Sequence, residues 1–71
     1  SRRLTMANKS VSSAEENLRS ANLGFKEGVM QTTDVMEAQT AWLQAQSQRI
    51  DAEIDVKLSQ INLKKALGIL E

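Results

Sequence analysis

The sequence predicts an all-α protein, two antiparallel helices folded into a coiled-coil hairpin with an alanine-rich, tight seam. Three observations carry that prediction. Apolar and alanine side chains recur at alternating steps of three and four residues on either side of one break. The break holds two of the three glycines, then short polar residues and a carboxylate. The 71 residues contain no proline and only two aromatic side chains, Phe25 and Trp42, which leaves little turn chemistry for a β-sheet.

The first helix is expected over about residues 2–26. Its seam is Leu4, Ala7, Val11, Ala14, Leu18, Ala21 and Phe25, and the opposite positions are small or polar: Ser10, Ser12, Ser13, Asn17 and Ser20. Ser1-Arg2-Arg3 offers no obvious cap, as in a helix cut from a longer one. A turn follows at about 27–33. Glycine reaches left-handed backbone angles without steric cost, so Gly28 is the expected stop of the first helix. Gln31, Thr32, Thr33 and Asp34 all carry oxygens able to cap the next helix. Asp34 and Glu37 also bring negative charge to its positive end. With Asp34 as the cap residue, Glu37 takes the reciprocal position of a capping box.

The second helix is expected over about 34–67, with a seam at Val35, Ala38, Trp42, Ala45, Arg49, Ala52, Val56, Ser59, Leu63 and Ala66. At 1.5 Å per residue the two helices would be about 37 and 50 Å long. Gly68 is the expected C-terminal stop, with Ile69-Leu70-Glu71 opening a further segment. In the antiparallel register, residues whose numbers add up to about 60 stand at equal height. Leu4 then faces Val56, Val11 faces Arg49, Leu18 faces Trp42 and Phe25 faces Val35. The layers between are alanine on both sides: Ala7 with Ala52, Ala14 with Ala45, Ala21 with Ala38. Alanine layers let backbones approach, toward the ~8 Å end of helix-packing distances. Arg49 is the misfit, expected to snorkel past Val11 to water.

A second apolar stripe, Met36, Leu43, Ile50, Ile54 and Ile61, lies roughly opposite the seam on the same helix. A helix apolar on two faces is expected between neighbours, so this stripe is the expected oligomer face, burying the hairpin in a helical bundle. A chain this short also struggles to bury a self-sufficient core.

Composition excludes several functions. Nine basic and nine acidic residues cancel, which gives no footprint for nucleic acid or an anionic membrane. Cysteine and histidine are absent, which removes thiolate nucleophiles, disulfides, structural zinc and the commonest general base. No apolar run approaches the ~18 residues that span a bilayer. No catalytic, cofactor-binding or metal-ligating residues are expected. Asp51, Glu53 and Asp55 read as a solvated helix face, Trp42 as core against Leu18, and the Thr32 and Thr33 hydroxyls have no histidine to activate them.

The tip and second helix resemble the TolC-like outer-membrane efflux channel family. The matching runs are Asn22-Leu23-Gly24-Phe25-Lys26-Glu27-Gly28-Val29, then Thr33-Asp34-Val35-Met36-Glu37-Ala38-Gln39-Thr40, with the closing Ile61-Asn62-Leu63-Lys64-Lys65-Ala66-Leu67-Gly68. The shared pattern is an aromatic, a glycine three residues on, a short turn, and an acidic-apolar run ending in Ala-Gln. Gln31 stands where that family usually has Ser or Thr, and Gly24 where Arg is common; Thr32 is expected to take over the capping.

The resemblance implies one hairpin of the periplasmic helical barrel of a trimeric export duct, in a Gram-negative bacterium, attached to the outer membrane through parts absent here. It implies a tip, Phe25, Gly28, Val29, Met30, Gln31 and Thr32, that docks the periplasmic adaptor of a tripartite pump. Asp34 and Glu37 would stand near the duct's acidic constriction. The bland counterparts are that Gly28 is only a helix stop and that both carboxylates only cap. Apart from the resemblance, the residues also fit an unrelated coiled-coil oligomerisation or scaffolding module. A membrane-surface amphipathic pair fits less well, because the serine-rich back and zero net charge lack its basic face.

Overall fold

The computed structural model describes residues 1–68, so the expectation for 69–71 lies outside the described residues. They form two helices, α1 (Arg2–Lys26) and α2 (Thr32–Ala66), joined by a five-residue turn. No strand occurs among the described residues. The pair is a rod with principal extents of 61 × 15 × 12 Å.

Local chemistry sets the helix ends differently from one another. At the start of α1 the Leu4 N–H donates to Ser1 Oγ at 3.4 Å, so Ser1 is a cap where none was obvious. At the end of α2, Leu67 is the cap residue and Gly68 follows at φ +72°, as expected of a glycine stop. Lys64 and Lys65 lie in that last turn, where the helix dipole favours cations.

Packing follows the alternating pattern. Val11, Ala14 and Ala21 of α1 and Ala45 and Ala52 of α2 are buried, with Val11 and Ala52 the least exposed at 2% and 1%. Val11, Ala14 and Ala45 form one cluster, against which Trp42 packs. Leu4, Ala7, Leu18, Val35, Ala38, Arg49 and Val56 are half-buried along the same line. The register agrees with the equal-height rule: Leu18 and Trp42 line one groove, Ser1 and Ser59 another, and Arg3 is ion-paired with Asp55. Cα atoms of the two helices come within 8 Å of each other, as alanine layers allow. The core is thin, because most of what it buries is alanine and only Val11 adds a larger apolar side chain. At roughly 1.5–3 kcal/mol per large buried side chain, that is a small driving force for so long a rod.

Arg49 leaves the seam along its own helix. Its Nη2 donates to Gln46 Oε1 at 3.3 Å, and its Nε lies 3.8 Å from Glu53 Oε1. Burial of the stem and exposure of the head is the usual compromise for a long cation on an apolar face.

One seam position is corrected. Phe25, expected to close the last layer against Val35, has its side chain 50% exposed. Gly24 is the buried residue at that level instead. The reason lies in the turn.

Candidate interaction surface at the hairpin tip

The turn is a backbone device. After Lys26, Glu27 caps α1 with its N–H donating to Leu23 O at 3.0 Å. Gly28 then takes φ +79°, a left-handed angle, and its N–H donates to Phe25 O at 3.2 Å. The Val29 N–H donates to Gly24 O at 2.8 Å. That pair of bonds is the Schellman arrangement, in which a left-handed residue lets the chain turn back and satisfy the last helical carbonyls. The Met30 N–H donates to the same Gly24 oxygen at 3.1 Å, so the turn is wrapped onto one carbonyl.

The wrap brings side chains down with it. A Cβ placed on Gly24 would lie 2.4 Å from Met30 Cγ, 3.2 Å from Met30 Cβ and 3.5 Å from Val29 Cγ2. Met30 therefore occupies the space beside the bare Cα of Gly24, and this buries the glycine. Around Gly28 the surroundings are open, with nothing within 4 Å of an added Cβ.

The start of α2 corrects the expected cap. Of the four candidates, Gln31 is the cap residue, in place of the expected Thr32 or Asp34, with extended backbone at φ −93° and ψ 161°. Asp34 stands three residues on, and its Oδ2 accepts the Gln31 N–H at 2.9 Å. The reciprocal position of the box is thus held by Asp34 rather than Glu37, one helical turn earlier than expected. The carboxylate offsets an orphan N–H and places its charge at the positive end of α2. Glu37 is exposed.

The tip presents apolar side chains to solvent beside the exposed Lys26 and Glu27. Val29 is 79% exposed, Phe25 and Leu23 about half, and Met30 less; Gln31 and Thr32 are exposed beside them. Exposed Val or Phe alone is ordinary on a small protein; here several share one hydrogen-bonded turn. The second apolar surface is the back of α2, where Met36, Leu43, Ile50, Ile54 and Ile61 each remain about half exposed. Leu58 adds to the exposed apolar side chains of α2.

Other candidate groups stay apart from the tip. Asp51, Glu53 and Asp55 are exposed, with Glu53 beside Arg49 and Asp55 paired with Arg3. Among the described residues no three acidic side chains gather as a metal cage, and no helix is long and apolar enough to cross a membrane. The Trp42 indole nitrogen is buried without a hydrogen-bond acceptor. The sequence places Met30 in the expected docking tip and Gly24 as a departure from the family pattern, without linking the two. The apolar contact that accompanies a Schellman turn is the signal that points to residues 24 and 29.

The family model for outer membrane efflux proteins matches residues 1–69. No curated protein and no solved structure matches the chain.

Proposed function

The chain belongs to the outer membrane efflux protein family, and we propose that it is one periplasmic hairpin of the family's export duct, whose tip docks a periplasmic adaptor. In this reading the hairpin is a segment of a larger protein in a Gram-negative cell envelope. The parent is a trimer, and the Met36, Leu43, Ile50, Ile54 and Ile61 face packs against neighbouring hairpins in the duct wall. The role is structural and transport-related, with no bond-breaking chemistry.

The observation that supports tip docking best is the combination of a hydrogen-bonded turn with Val29, its most exposed apolar side chain, at the apex. A turn held by its own backbone loses little freedom when a partner arrives, which lowers the cost of association. The open space at Gly28 lets a partner backbone come close. Of the two carboxylates, Asp34 is committed to the turn, so an acidic constriction would fall to the exposed Glu37.

The test is Val29→Asp in the full-length efflux protein, scored by export of a fluorescent dye from cells. A charge at the apex should abolish export while the amount of channel in the outer membrane stays unchanged. Undiminished export with that variant would overturn tip docking.

A further inference from the structure

We propose that Gly24 and Met30 form a latch that positions the docking apex: Met30 seats beside the bare Cα of Gly24, and this holds Val29 outward. The proposal rests on the tip-docking reading above and identifies the pair that sets the shape of the docking surface.

Three features converge on this pair. Gly24 lies inside α1, where glycine is a poor choice for a helix, yet it is buried and its space is filled by a residue six positions on. Its carbonyl accepts both the Val29 and Met30 N–H groups, so the turn and the side-chain contact share one anchor. The clearance is specific. A methyl group at position 24 would stand 2.4 Å from Met30 Cγ, which a change of side-chain rotamer can move, and 3.2 Å from Met30 Cβ, which only a shift of the turn backbone can move.

Gly28 allows the chain to reverse, but nothing surrounds it, so it does not fix where the reversed chain comes to rest. Gly24 does. In the latch, a side chain at 24 turns Met30 Cγ away and presses on Met30 Cβ, so the two N–H bonds to Gly24 O lengthen and Val29 shifts from its place.

A purely helical role for residue 24 predicts the opposite behaviour. Alanine is the better helix former, so Gly24→Ala would then raise the melting temperature and leave the turn as it was. The latch predicts that G24A speeds hydrogen–deuterium exchange of the Val29 and Met30 amides by about tenfold or more, because their bonds to the shared carbonyl of residue 24 are weakened. G24A/M30A should slow that exchange again, since removing Met30 Cγ relieves the closest contact and leaves the 3.2 Å one.

Exchange is read on the 71-residue chain with no partner present, and dye export on the full-length protein carrying the same variants. Faster exchange and lost export in G24A, both recovering in G24A/M30A, support the proposal. Unchanged exchange in G24A overturns the latch, whatever export does. Faster exchange without recovery in the double variant also overturns it, because the effect is then not transmitted through Met30. Faster exchange with full export overturns the latch's part in docking, whereas full export in V29D would remove tip docking itself.

Discussion

Replacing Ala21 with leucine tests the close approach of the two helices most directly. Ala21 is 4% exposed, and the register places half-buried Ala38 opposite it, so this layer has no atom beyond Cβ on either side. Leucine adds three carbons. If the layer could accept them, burial would stabilise by roughly 2 kcal/mol, at about 0.8 kcal/mol per buried methylene. It cannot do so without parting the backbones or twisting the new side chain off its rotamer, and such overpacking costs about 1–3 kcal/mol net. In a domain of this size each kcal/mol moves the melting midpoint by about 4–8 °C, so a drop of about 4–24 °C is expected. The assay is the thermal loss of helical circular dichroism at 222 nm. All variants are compared at one protein concentration, because any self-association would make the midpoint concentration-dependent. Ala66→Leu makes the same chemical change at the exposed end of α2, beyond the reach of α1. It is the control and should stay within about 0.5 kcal/mol of the unmodified chain. An A21L midpoint equal to that of A66L would refute the tight alanine seam.

Three further outcomes are expected. Asp34→Ala removes the acceptor of the Gln31 N–H and should cost about 1 kcal/mol, seen as a lower melting midpoint. Gly28→Ala forces a side chain into the left-handed region at φ +79° and should cost about 1–2 kcal/mol by the same melt; no loss would mean that the turn relaxes freely. Leu43→Asp places a charge in the exposed stripe of α2 and should make the chain monomeric by light scattering at concentrations where the unmodified chain self-associates. If both are monomeric, the stripe is not an interface between copies.

Most of the seam is legible in the sequence because a heptad is a local pattern. Val11, Ala14, Ala21, Ala45 and Ala52 are buried where alternating steps of three and four residues place them. The exposed stripe on α2 is legible for the same reason. What is not legible lies at the tip, where the outcome depends on how a reversed chain packs against the helix it has just left. Phe25 continues the heptad yet stays exposed, while the reversal at Gly28 sends Met30 back over Gly24. Residue type leaves the cap open among Gln31, Thr32, Thr33 and Asp34, and pairing Asp34 with Glu37 sets the box one turn late. In the structure the Asp34 carboxylate is used across three residues, from within the helix, on the N–H of Gln31. Ser1 is inconspicuous as a cap because serine in front of two arginines lacks the usual acidic first turn.

The alternation of large and alanine layers has a consequence for how the two strands could move along each other. The pattern repeats every seven residues, about 10.5 Å of helix. A displacement by half that repeat sets large side chains against alanine and opens voids, but a displacement by the whole repeat restores much of the matching. The seam thus behaves as a periodic potential with several wells rather than one. The five-residue turn selects the well, because the bonds to Gly24 O and the Asp34 carboxylate fix where α2 starts relative to where α1 stops. A hairpin cleaved between Gly28 and Val29 would keep every seam contact, yet lose the phase lock. It should then slip by whole heptads.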